Sequence, residues 1–211
     1  MKAMQNSPAG VPGFWLKVLL NSRDTQGEVY EKDRAILQSL TDMRYELHET
    51  GHGFTLIFEF EENSYFKNKL LTKSFHQLKP NMIEKCVGTE IEWNEGCDVT
   101  VKKTKKKSKK KGSKPVTKMV KQDSFFNFFK SLSADDEKKE GDDDEGKDEE
   151  EEDIAEQMDA DLDLGSKIKE EVIPLALEFY MDVIDQEDDE DDEDGDEDDE
   201  GDDSDDDKKK K

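Results

Sequence analysis

The spacing of apolar side chains changes several times along this chain, and each change marks an element. Phe14, Trp15, Val18 and Leu19 recur at helical spacing after a Pro/Gly-rich turn at residues 8–13, which predicts a short amphipathic helix ending near Asn21. Val29, Ile36 and Leu40 share one side of a second expected helix, from about Glu28 to Leu40, with Tyr30 and Leu37 beside them and Thr41 and Asp42 interrupting it. From Arg44 the period becomes two. Tyr45 and Leu47 alternate with Arg44, Glu46 and His48, the pattern of a strand with one face on a core. Gly51-His52-Gly53 reads as a turn, and Phe54, Leu56, Phe58 and Phe60 then alternate with Thr55, Ile57 and Glu59, completing a hairpin. Tyr65, Phe66, Leu70, Leu71, Phe75 and Leu78 continue as strand or irregular chain to Pro80. Thr89 to Trp93 alternates again, so Ile91 and Trp93 are expected to face the core.

The second half is read the same way. Ser124 can cap a short helix carrying Phe125, Phe126, Phe128 and Phe129, a set too apolar to be left in water. Helical spacing returns from about Ile154 to Met158 and from Ser166 to Ile184, with Leu175, Phe179 and Val183 continuing beyond Pro174. That proline removes one backbone donor and should kink or restart the helix. These elements give an α+β fold: an antiparallel sheet with helices on one face and one core.

Charge divides the chain more sharply than hydrophobicity does. The net charge is −25, yet residues 1–101 hold eleven bases and fifteen acids. Residues 102–121 carry eleven lysines and no acid, residues 135–165 carry eighteen acids against three lysines, and residues 185–207 carry nineteen acids and no base. The stretches 135–150 and 185–211 lack the apolar side chains needed to fold and are expected to be an acidic loop and a disordered acidic tail. Lys102 to Lys114 cannot pack either. Val99, Val101, Val116 and Val120 flank it, so the segment is either the tip of a paired hairpin or a disordered loop.

Chemistry is sparse by comparison. Cys86 and Cys97 suit a reducing compartment better than a disulfide framework, and neither a signal peptide nor a membrane span is expected. His48 and His52, with the two cysteines, lack the close spacing of a zinc site, so a surface turn is the favoured reading. Phosphate-loop, dinucleotide and nucleophile-elbow motifs are missing; an enzyme, a cofactor and a bound metal are not expected. The lysines Lys102, Lys103, Lys105, Lys106, Lys107, Lys109, Lys110 and Lys111 would serve as an import signal, an acidic-partner contact, a nucleic-acid contact or a plain solubilising loop. Stable DNA binding is disfavoured, because the chain's own acids would compete with phosphates for these lysines. The acids instead suit a strongly cationic protein partner, steered by long-range attraction and weakened by salt.

Several motifs together resemble the nucleosome assembly protein family of histone chaperones. They are Gly13-Phe14-Trp15-Leu16, Asn63-Ser64-Tyr65-Phe66-Lys67-Asn68, Leu71-Thr72-Lys73 and Gly88-Thr89-Glu90-Ile91-Glu92-Trp93, followed by Gly112-Ser113-Lys114-Pro115, Ser124 to Phe129, and Asp163-Leu164-Gly165-Ser166 leading to Ile173-Pro174. The resemblance covers roughly residues 8–184. It implies the family's "earmuff" domain over that span, a sheet shielded by helices, with the lysine segment as an extended hairpin bearing the import signal. It also implies binding of core histones, both the outer dimer of the nucleosome and the pair forming its central tetramer, without ATP, with an import receptor as a further partner and shuttling between cytoplasm and nucleus. Implied histone contacts are Glu151, Glu152, Asp153, Glu156, Asp159, Asp161 and Asp163, together with tail acids beginning at Glu187, Asp188, Asp189 and Glu190.

One departure stands out. Family members carry a long N-terminal dimerisation helix, and about seven residues precede Pro8 here, so either this is a shortened member or fragment or the chain associates in another way, and weakened or absent family-type dimerisation is expected. Two rivals remain: a SET-like nuclear regulator that inhibits a phosphatase, and a polyanionic buffer with no specific site.

Overall fold

A computed structural model describes residues 11–49, 52–79, 82–106, 116–133 and 147–184. Three short helices open it: α1 (Phe14–Asn21), α2 (Arg23–Gln26) and α3 (Glu31–Leu37). The expected second helix is therefore shorter at both ends. Leu40 already belongs to the first strand, and Thr41 and Asp42 run on within it rather than breaking a helix.

Strands β1 (Leu40–Leu47), β2 (Phe54–Phe60), β3 (Leu70–Lys79), β4 (Met82–Gly88) and β7 (Leu132–Ser133) form an antiparallel sheet in the order β1-β2-β3-β4-β7. Phe54, Leu56, Phe58 and Phe60 are all buried, as their alternation requires. A register shift between Leu40 and Asp42 changes the parity of β1, which is why Leu40 and Met43 are both buried. Leu47, expected in the core, is 69% exposed at the strand's end. Strand β4 escaped the sequence reading because Ile83, Lys85 and Val87 blur its alternation. Conversely, Thr89 to Trp93 makes only an isolated bridge, from Phe66 to Trp93, although Ile91 and Trp93 do pack against the core.

The four phenylalanines form a 3₁₀ helix, Phe125–Phe129, capped by Ser124, whose hydroxyl accepts from the Phe126 amide. All four rings are buried and meet Phe58, Phe60, Phe66 and Phe75 mainly edge-on or tilted. A buried carboxylate locks this turn to the N-terminal helices. Asp33 accepts from the Ser124 hydroxyl at 2.7 Å, from the Phe125 amide at 2.8 Å and from the Tyr30 amide at 3.2 Å.

The two expected C-terminal helices join differently. Helix α4 (Lys147–Lys167) is continuous and begins inside the stretch 135–150 expected to be a loop. One π turn (Ile168–Val172) follows, then Pro174 in a turn, then α5 (Ala176–Met181). Phe179 is buried, whereas Leu175 and Val183 are exposed, so only part of the spacing beyond Pro174 was core. None of the described helices is long and apolar enough to cross a membrane.

Candidate functional site

The described acids gather most clearly on α4, and the helical period separates its two sides. Ile154, Met158, Asp161, Leu162 and Gly165 recur on the inward side, and Ile168 continues it into the π turn. Met158 and Ile168 are buried, and Gly165 lies so close to the Phe75 ring that any side chain there would strike it. Glu156, Asp159 and Asp163, spaced three and four residues apart, form one exposed outer row. Glu151, Glu152 and Asp153 belong to the same helix.

Asp161 does not join that row. It faces inward and pairs with Lys73 of β3, a lysine with no exposed surface. The Lys73 ammonium donates to Asp161 Oδ2 at 2.5 Å and to the Lys130 carbonyl at 2.8 Å, and it lies 5.3 Å from the Phe128 ring centre. Burial pushes the Asp161 carboxyl above the ordinary aspartate range, against the pull of Lys73. Asp161 is thus withdrawn from the expected contact set and becomes the pin that holds α4 on the sheet. Both partners were discoverable from the pattern. Lys73 stands between Leu71 and Phe75 on the inward parity of its strand, and Asp161 stands on the apolar side of its helix.

Neighbouring groups are occupied structurally. Lys167 bonds Asp163 at 3.2 Å and Asp24 at 3.4 Å, tying the end of α4 to α2; these carboxylates hold its pKa above the ordinary lysine value. Cys86 is a buried free thiol whose pKa burial raises to about 11, which leaves it unreactive near neutral pH. Cys97 is also free. The histidine and cysteine set weighed as metal ligands does not assemble: among the described residues no three His, Cys, Asp or Glu side chains converge.

The two flanks of the basic segment pair with each other, while residues 107–115 between them lie outside the described residues. Strands β5 (Val101–Lys106) and β6 (Val116–Lys121) pair antiparallel from Val101↔Lys121 to Lys106↔Val116, so the stem runs into the lysine run itself. Lys102 and Lys103 are exposed on β5, which also contains Lys105 and Lys106. Gln122 anchors the root by donating to the Val99 carbonyl at 2.7 Å, while Asn127 of the 3₁₀ helix donates to the Gln122 carbonyl at 3.0 Å. Between this root and α4 opens a groove of about 710 Å³ lined in part by Trp93, Lys121, Phe126, Phe129 and Gln157. Lys107, Lys109, Lys110, Lys111, Glu187, Asp188, Asp189 and Glu190 lie outside the described residues, as does the tail.

Comparison with known proteins places these features in a family. The family model described as nucleosome assembly protein (NAP) matches residues 1–183. Nucleosome assembly protein 1;1 of Arabidopsis thaliana is 41% identical over 175 residues, a match covering 81% of this chain and 46% of that protein. Nucleosome assembly protein 1;3 of Nicotiana tabacum is 40% identical over 179 residues, covering 81% and 45%. The chain thus spans about half the length of the curated relatives it matches. Among solved structures, nucleosome assembly protein 1 from Plasmodium knowlesi aligns with a TM-score of 0.63 at 27% identity, covering 82% of this chain and 69% of that one. The Plasmodium falciparum nucleosome assembly protein aligns at 0.58 and 25% identity, covering 87% and 72%.

Proposed function

This chain belongs to the nucleosome assembly protein family, and on that premise we propose that it is a histone chaperone whose affinity comes from two acidic elements. One is the outer row of α4, Glu156, Asp159 and Asp163, together with Glu151, Glu152 and Asp153 of the same helix. The other is the tail from Glu187, Asp188, Asp189 and Glu190 to Asp207. The observation that carries the reading is the pinning of α4. With Asp161 and the apolar side chains turned to the core, Glu156, Asp159 and Asp163 are left exposed in a row on a helix held against the sheet, which supports their use as a preformed contact.

The mechanism is electrostatic exchange. Carboxylates cover the DNA-binding side of a histone and block its aggregation with DNA. Duplex DNA, a denser polyanion, then takes the histone over when the right geometry is offered. No nucleotide hydrolysis enters this cycle. The partners are the outer histone dimer and the pair of the central tetramer, and the chain acts in the nucleus and cytoplasm. The lysine hairpin is the docking element for an import receptor, and stable duplex binding is not expected of it.

The deciding experiment is competition for the purified outer histone dimer between this chain and DNA over a salt series. The chaperone is expected to lift histones from non-nucleosomal DNA at moderate salt, and failure to do so removes the assignment. Deleting residues 185–211 separates a site from a mere polyanion. A shortened chain that keeps weaker, α4-dependent histone binding supports the site, and one with no affinity at all supports the buffer.

A further inference from the structure

On the outer face of the sheet, opposite the phenylalanine core, two histidines distant in sequence come together. The ladders Leu47↔Phe54 and Phe54↔Phe75 bring His48 and His76 to either side of Gly53, and the His48 amide donates to the Gly53 carbonyl at 3.2 Å. Gly53, just before β2, has φ +92°, and a side chain there would strike the Phe75 carbonyl and then the His48 ring, so glycine lets the flanking chains close together at this point. Their ring centres are 5.1 Å apart. Both Nε2 atoms approach one hydroxyl, Ser74 Oγ, at 3.2 Å for His48 and 3.4 Å for His76. Thr55 Oγ1 completes the cluster, 2.9 Å from His48 Nε2 and 2.9 Å from Ser74 Oγ.

We propose that His48 and His76, with the Ser74 and Thr55 hydroxyls between them, form a binding site for one divalent transition cation of the zinc class. Imidazole nitrogen suits zinc, copper and nickel, whereas calcium and magnesium prefer carboxylate oxygen. Nitrogen ligands sit about 2.0–2.1 Å from zinc, and here both Nε2 atoms are already directed at one point, the Ser74 hydroxyl. Because no third His, Cys, Asp or Glu joins them among the described residues, hydroxyls and water fill the other positions. Lys85, directly across from His76 in the β3–β4 ladder, opposes a cation. The site is therefore exchangeable rather than structural, and it differs in chemistry from the acidic segments, which take hard cations.

The test is a zinc titration of the full chain in a large excess of magnesium, which occupies the carboxylates, followed through the histidine ring signals in NMR spectra. The His48 and His76 signals are expected to move together and saturate near one equivalent, with His52 unmoved. His48→Gln and His76→Gln, both on a solvent-facing sheet surface, should each weaken zinc binding by at least about tenfold while the amide spectrum stays folded. Copper(II) bound to the parent chain should show splitting from two nitrogens. Zinc affinity unchanged in the double variant, or a response from only one ring, overturns the site.

Discussion

Helix α4 and the β5–β6 hairpin both carry charge dense enough to resist folding, and they are ordered by opposite means. The helix keeps one side apolar and buries it, closing the contact with a single fully desolvated lysine against Asp161. The hairpin is held by its backbone ladder and by a root bonded to Gln122 and Asn127, while Met119 and Val120 remain exposed on its stem. A charged segment can therefore become part of the core through side chains, or project from it through main chain. The first way couples its order to global stability; the second leaves it independent.

Removing the pin should break this contrast most strongly. Lys73→Met leaves the Asp161 carboxyl buried without its cation, and a loss of about 3–5 kcal/mol is expected from urea unfolding midpoints. Replacing both partners, Lys73→Met with Asp161→Leu, should recover most of that loss, since two apolar groups need no compensation. A double variant as unstable as the single one would show that the pair's value lies in its geometry instead.

The pH dependence sharpens the same point. Burial raises the Asp161 pKa, so the folded state holds this proton to higher pH than the unfolded chain does. Between the ordinary aspartate pKa and the raised value, its contribution to stability falls as pH rises. Urea titrations of the parent and Asp161→Asn across that acid range should show the parent's advantage shrinking with increasing pH. A growing advantage would mean that Lys73 outweighs burial.

The smallest global effect belongs to the hairpin. Met119→Pro removes an amide from β6 and should abolish amide protection along Val101–Lys106 and Val116–Lys121 in hydrogen exchange, while changing overall stability by less than about 0.5 kcal/mol. A larger global loss would make the stem part of the core after all.

Local pattern alone determined the pieces whose partners are near in sequence. The helix Phe14–Asn21, the alternating strand Phe54–Phe60, the Ser124-capped phenylalanine turn and the division into acidic and basic segments were all legible, because each follows from a period, a cap or a composition. Tertiary structure decided the rest. It buried Leu40 and Met43 through a bulge and exposed Leu47 and Val183. It also brought Lys73 to Asp161 across 88 residues and His48 beside His76 over Gly53. Each of these depends on which surface a second element covers, and on whether a buried charge meets its partner there. Periodicity shows which way a side chain points; only the assembled sheet and helix determine what it points at.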